Sequence, residues 1–223
     1  YGHGSIPLAK AMEKLDFLSG FAVATEEEAM ELNQAGIHQP IIILGYTFPY
    51  AYEEIAEKGI ESTVFRLDML QEMSKAALKV GHSMRVHIKV DTGMSRIGVL
   101  PDDTGVEFVK KAAAMKGIEV VGIFTHFATA DEEDKMFARK QLGLFMSFLT
   151  QVRQIPGLEH ITAHCSNSAA ILDMPDANMD AVRAGIAMYG LRPSEEVDMS
   201  VVSLQPALSF YSTVIYVKEV PAG

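Results

Sequence analysis

A parallel (β/α)8 barrel lacking its first strand, followed by the start of a β-rich domain, is the α/β architecture the sequence predicts. Three observations predict it. Short, Val- and Ile-rich strands alternate with amphipathic helices over residues 5–186, a pattern that implies a parallel sheet. These strands are apolar enough to be buried on both faces, as barrel strands are. Seven of them are counted, and residues 1–4 read as the loop between a strand and a helix, so an eighth is expected immediately before Tyr1.

The elements follow in order. Ser5 is expected to cap the first helix, with Pro7 in its first turn and Leu8, Met12, Leu15 and Leu18 on its apolar face. A strand over 21–24 precedes the run Thr25-Glu26-Glu27-Glu28, a capping box that opens a helix ending before Gly36. Strand 41–44, helix 49–57, strand 62–65 and helix 68–80 come next. Strand 84–90 alternates strictly, with Val86, Ile88 and Val90 on one face and His87, Lys89 and Asp91 on the other. Burying unpaired charge is costly, so that second face is expected to look into a polar cavity. Asp91-Thr92-Gly93 breaks the strand, and Arg96 is expected to return over its end.

Asp103 is expected to cap a helix through 115, followed by strand 120–126 and a helix over 132–152 with Phe137, Gln141, Leu144, Phe145, Phe148 and Leu149 on one side. Strand 160–165, helix 168–172 and strand 181–186 complete the series. Residues 192–205 lose this rhythm and read as a linker, while two-residue alternation over 208–220 predicts a longer strand. The expected division is a barrel domain over 1–200 and, over 201–223, a linker with the first strand of a β-domain.

Composition narrows the function. With 48% hydrophobic residues in 223, the chain has the material for a substantial core. Its net charge of −10, with Lys and Arg scattered singly, argues against nucleic acid and anionic membrane as partners, because phosphate binding needs clustered cations. The single Cys165 allows no internal disulfide and fits a reducing compartment. No apolar run approaches the roughly 18 residues of a membrane span, and no signal peptide is seen. A cytoplasmic location is expected, with an anchor upstream of Tyr1 left open.

Barrels of this kind carry their chemistry at the C-terminal ends of strands. Tyr1, His3, Lys89, Asp91, Arg96, His126, His164, Asn167, Ser168 and Arg183 all fall at or just after expected strand ends. Ser166-Asn167-Ser168-Ala169-Ala170 opens a helix, so a hydroxyl and backbone amides are offered to an anion, with Gly185, Ile186 and Gly190 supplying further open amides nearby. A capped helix that binds nothing fits these residues equally. Arg183 stands alone in an apolar strand and needs an acceptor, from a structural carboxylate or a ligand. Lys89 with His126 and His164 also suits a binuclear metal hydrolase bridged by a carbamylated lysine. Arg183 stands against that reading, since a cation beside two metal ions is unfavourable.

Five segments resemble the signatures of the alanine racemase family of fold type III pyridoxal-phosphate enzymes, in that family's order: Tyr1-Gly2-His3-Gly4; residues 90–98, VDTGMSRIG; residues 125–131, THFATAD; residues 164–170, HCSNSAA; and residues 183–190, RAGIAMYG. The resemblance implies a TIM-type barrel followed by a β-domain, a head-to-tail homodimer, pyridoxal 5'-phosphate as cofactor and a small amino acid as substrate. It implies that Tyr1, Ser168, Gly185 and Ile186 hold the cofactor phosphate, with Asn167 supporting their loop. Arg183 would face the pyridine nitrogen, His126 would lie against the ring, and Arg96 would contact the phenolic oxygen side and orient the partner subunit's catalytic tyrosine. Lys89 matches a lysine carbamylated in some members, where it accepts hydrogen bonds from Arg96. The two proton-transferring bases of the family fall before Tyr1 and beyond Gly223, so residues 1–223 by themselves are expected to be inactive. The expected activity of the parent protein is interconversion of L- and D-alanine for peptidoglycan synthesis. Serine racemisation within the same family and a non-catalytic pyridoxal-phosphate carrier are the alternatives.

Overall fold

A computed structural model describes residues 2–222, so the role expected of Tyr1 lies outside the described residues. Six strands form one parallel sheet in strictly sequential order, β1 (Phe21–Val23), β2 (Ile41–Ile43), β3 (Glu61–Val64), β4 (Met84–Lys89), β5 (Ile118–Phe124) and β6 (Thr162–His164). The sheet curls as a partial barrel. Helices α1 (Ser5–Met12), α2 (Glu26–Gln34), α3 (Tyr52–Lys58), α4 (Leu67–Val80), α5 (Asp103–Ala114), α6 (Met136–Val152) and α7 (Ser168–Asp173) lie between or beside the strands. Consecutive parallel pairing with a helical crossover at each step is the barrel's mode of growth.

Helix ends follow local chemistry. Thr25 Oγ1 accepts from Glu28 N–H at 3.4 Å, while the Glu28 carboxylate reaches back one residue further, to Ala24 N–H at 2.7 Å. Two expected caps move by one residue. Gly4, not Ser5, precedes α1 and gives no side-chain cap, and α1 stops at Met12, leaving Leu15 and Leu18 beyond it. Asp102, not Asp103, caps α5, accepting from Thr104 N–H and Gly105 N–H. Helix α6 begins at Met136 rather than 132, because the preceding residues form turns.

Two expected strands are absent as ladders. Residues 181–186 run beside β6 but form only one bridge, Ala181 to His164. Their amide bonds, Asp180 N–H to Ala163 O and Arg183 N–H to Ser166 O, stand three residues apart, and a ladder repeats every two. Residues 208–220 alternate but carry no strand and are exposed. Among the described residues they have no ladder neighbour, and a lone strand gains none of the bonds that define one.

Strand β4 occupies the centre, with Val86, Ile88 and Lys89 buried on its two faces. Its pairing with β5 shifts register between Val86 and His87, so that His87 faces Gly122. The extra residue is Val121 of β5, so the irregularity sets a bare glycine opposite the His87 ring. A Cβ at Gly122 would lie 2.0 Å from His87 Nδ1, so only glycine leaves room for the ring. Among the described residues no helix is long and apolar enough to cross a membrane.

Candidate active site

The loop after β4 folds back on its own strand, as expected. Asp91 N–H bonds Val99 O at 2.8 Å and Val99 N–H bonds Lys89 O at 2.9 Å. Asp91 Oδ1 accepts from Gly93 N–H and Ser95 N–H, both at 3.0 Å, forming the turn that carries Arg96. The carboxylate is a turn former and makes no ion pair with Lys89. Lys89 is 2% exposed, and its Nζ donates to Val90 O at 2.8 Å and Ile97 O at 3.2 Å. Arg96 is exposed and makes no hydrogen bond to Lys89, since two cations have nothing to share.

Beyond β5 and β6 the remaining groups converge. Arg183 donates to His164 Nδ1 at 2.7 Å, Thr125 O at 2.8 Å and Cys165 O at 3.1 Å, and lies 3.4 Å from His126 Nδ1. The Phe124 ring is their platform: His164 stacks on it at 4.9 Å, and the Arg183 and Lys89 cations stand 5.2 and 5.8 Å from its centre. No carboxylate bonds Arg183, Lys89 or Arg96 among the described residues. The strand ends therefore form a cationic cradle.

Burial first, and that excess charge after it, lower the proton affinity of these groups. Burial pushes the Lys89 amine down to about 8, with Arg96 and Arg183 adding to it against the opposing pull of Asp91. Burial, then Arg183, Arg96 and Lys89, push His126 down to about 4, and burial with Arg183 holds His164 well below the usual imidazole range. A depressed imidazole binds its proton later in the folded state than in the unfolded chain. Below its ordinary value near 6.5 the unfolded form takes up protons that the native form refuses. Stability therefore falls with pH over that interval, by about 3 kcal/mol from His126 if fully expressed. Urea unfolding midpoints measured from pH 7 to pH 4.5 are expected to fall steadily; a flat profile would remove the buried neutral histidines.

Gln141 of α6 organises the rim. Fully buried, it accepts from Ala128 N–H at 2.9 Å and donates to His126 O and Thr92 Oγ1, both at 3.2 Å. Thr92 and Thr125 share a further hydroxyl bond at 2.8 Å. Gln141→Leu keeps the volume and strips all three bonds, so it is expected to cost about 2 kcal/mol and to shift the His126 ring resonances. Unchanged resonances would show that the rim stands without it.

The expected anion loop is built differently from its sequence reading. Asn167 caps α7 through Ala170 N–H at 3.1 Å. Ser168 Oγ turns the other way and accepts from Gly185 N–H at 2.9 Å and Ala187 N–H at 3.2 Å. Gly185 is thus not an open amide, because the serine already claims it. Ser168 accepts twice and keeps its own proton to donate, while Ile186, first in a short 3-10 turn (Ile186–Tyr189), has no intrahelical acceptor for its amide. The buried Ser166 hydroxyl has no hydrogen-bond partner. His3 packs its ring on Tyr189 at 4.5 Å.

Lys89, His126 and Arg183 are thus brought together, Ser168, Gly185 and Ile186 form a second cluster beside them, and Arg96 sits on the rim. Among the described residues no three His, Cys, Asp or Glu side chains gather as metal ligands. His164 also spends both ring nitrogens in hydrogen bonds, which deprives the hydrolase reading of a ligand. Sequence reasoning missed Gln141, Glu61 and Gly122. Gln141 had a visible signal, a polar residue within the apolar face of a long helix.

Residues 1–193 match the model of the family described as alanine racemase, N-terminal domain. The alanine racemase of Desulforamulus reducens is 42% identical over 223 residues, covering 100% of this chain and 60% of the relative. That of Methanococcus maripaludis is 43% identical over 221 residues, 99% of this chain and 59% of the relative. The chain thus spans about 60% of the length of these curated relatives. Among solved structures, alanine racemase from Clostridium difficile 630 in complex with cycloserine superposes with a TM-score of 0.88 at 39% identity, covering 92% of this chain and 56% of that one. Alanine racemase from E. faecalis superposes at 0.79 with 38% identity, covering 92% and 54%.

Proposed function

The chain belongs to the alanine racemase family, and from that premise we propose that the whole protein interconverts L- and D-alanine with pyridoxal 5'-phosphate. The observation that carries this reading is the cationic cradle: Arg183, Lys89 and Arg96 at one set of strand ends, with no carboxylate bonded to them among the described residues. Such a donor set fits an anionic cofactor. The Ser168 hydroxyl, which keeps a proton to give, and the unclaimed Ile186 amide fit its phosphate.

When bound, pyridoxal phosphate supplies an electron sink that acidifies the α-hydrogen of an amino acid. The chain's own residues would hold and tune it. Ser168 and Ile186 would donate to the phosphate, together with Tyr1, and Gly185, tied to Ser168 Oγ, would fix that loop, as would the Asn167 cap. Arg183 would face the pyridine nitrogen. A guanidinium keeps its proton at any physiological pH, so a nitrogen opposite it would stay unprotonated, which favours return of the proton over side reactions. His126, held uncharged, would lie against the ring, and Arg96 would meet the phenolic oxygen. Lys89, with an amine near 8, has enough free base at neutral pH to attack carbon dioxide and lose a proton, forming a carbamate. Its negative charge would sit among the cations and draw Arg96 inward. A head-to-tail homodimer and a cytoplasmic location complete the proposal.

The relatives and solved structures carry the alanine name, and no observation favours serine. The test is proton NMR of the full-length protein with pyridoxal phosphate in D2O, on L-alanine and separately on L-serine. Exchange at the α-carbon with inversion, faster for alanine, is expected. Faster serine exchange would move the substrate, and bound cofactor without exchange would leave only a carrier.

A further inference from the structure

A line of side chains crosses the interior of the sheet to reach the site. Arg85 Nη1 meets Glu61 Oε1 at 2.6 Å, and Glu61 Oε2 meets His87 Nε2 at 2.7 Å. His87 Nδ1 meets His164 Nε2 at 3.0 Å, and His164 Nδ1 meets Arg183 at 2.7 Å. Glu61, His87 and His164 are 6%, 8% and 5% exposed.

The position of every proton along this line is forced. A guanidinium only donates, so His164 Nδ1 accepts and its ring proton sits on Nε2. That proton is given to His87 Nδ1, which places the His87 proton on Nε2. The last bond then needs an acceptor, and Glu61 as a carboxylate supplies it. Burial alone would raise the Glu61 carboxyl, but its interaction with His87, ahead of the charge of Arg85, brings it below its usual range. A second proton on either imidazole would set donor against donor.

Such a line is expensive in a barrel core. Ionised and polar groups there cost more than the apolar residues that fill neighbouring positions such as Val86 and Ile88. The register shift in β4–β5 and the bare Gly122 are further concessions made for the His87 ring. The only group of the proposed site at the end of the line is Arg183.

We propose that Glu61 is a positioning residue for Arg183: its carboxylate, acting through two imidazoles each held in one tautomer, orients the guanidinium. The inference rests on the reading of Arg183 as the partner of the cofactor's ring nitrogen. A carboxylate at the far end of an imidazole makes the near nitrogen a better acceptor. Arg183 is thereby held by a stronger bond than a lone histidine would give.

The experiment uses uniformly 15N-labelled full-length protein, wild type and Glu61→Gln, with side-chain histidine NMR recorded before cofactor is added. In the wild type, His87 and His164 are expected to show a protonated Nε2 and a bare Nδ1. In Glu61→Gln, Arg183 still makes His164 Nδ1 an acceptor and the amide oxygen can accept from His87 Nε2–H, so both rings are expected to keep their tautomers. The His164 Nδ1 resonance is expected to shift, because a neutral amide makes that nitrogen a weaker acceptor than a carboxylate does. With pyridoxal phosphate bound, the absorbance band of the variant is expected to shift and its turnover to fall about tenfold, with the KM for alanine little changed. An unmoved His164 Nδ1 resonance with an unchanged band and turnover in the variant would overturn the proposal. So would a proton on Nδ1 of His164 in the wild type, a measurement that decides the matter even if the variant does not fold. If both wild-type rings carry their proton on Nε2 but the protein binds no pyridoxal phosphate, the functional reading has failed, and the role of Glu61 toward that cofactor falls with it.

Discussion

Gly122→Ala is expected to cost about 3 kcal/mol or more, a large loss for one methyl group. The added carbon would stand 2.0 Å from His87 Nδ1 and 2.3 Å from the adjacent ring carbon. The ring has nowhere to go, because its other edge is bonded to Glu61 and its Nδ1 to His164. Moving it breaks both bonds in a dry interior, adding unsatisfied polar groups to the steric cost. Gly143→Ala is the matched control. That glycine lies on the exposed side of α6 with nothing within 4 Å of a new Cβ, so the same change is expected to stabilise by about 0.5–1 kcal/mol. Urea unfolding of the two variants should therefore move in opposite directions. A mild loss at 122 would mean that the His87 ring is not fixed where the structure has it.

Arg183→Met is expected to lower stability by about 3 kcal/mol. The change relieves the cost of enclosing a guanidinium, which burial has already pushed down to about 10. It also strands the acceptors Thr125 O, Cys165 O and His164 Nδ1, and their loss outweighs the relief. Arg183 ranks next after burial in depressing His126, so the His126 titration should move upward in the variant. Under the proposed function, turnover in the full-length protein falls about a hundredfold. Arg183→Lys separates charge from shape. It should leave His126 low and still lose activity, because an ammonium lacks the planar fork that reaches the several acceptors. Retained activity in both variants would sink the assignment of Arg183 to the site.

Particular residues show what could be read from the sequence and what could not. The strict alternation of 84–90 placed Lys89 and His87 on one inward face, and that parity survives in the structure. The Thr25 box was legible because its spacing is set by helix geometry alone. Asp102 and Asp103 are chemically identical neighbours, and only backbone dihedrals decide which one caps α5. The alternation of 208–220 is a property of side chains, whereas a strand is a property of a pair, which explains why no strand forms there. The same limit hid Glu61. Its role depends on lying across from His87, and register between strands is not written in either strand. Gly122 carried a faint signal, a glycine within the apolar run Val120-Val121-Gly122-Ile123. The family motifs named Arg183, Ser168 and His126 as a group, but not the bond by which Ser168 claims the Gly185 amide.

Gln141 finally has a bearing on motion. One side chain grips Thr92 beyond β4 and the turn at 126–128 beyond β5, so these two rims travel together with α6 as a rigid wall. Residues 93–97 are tethered more lightly, by two amide bonds to Asp91 and the Lys89 contact with Ile97. Arg96 rides on that lighter stretch. The rim thus pairs a side bearing the histidine that is bonded to α6 with a more lightly tethered side bearing an arginine.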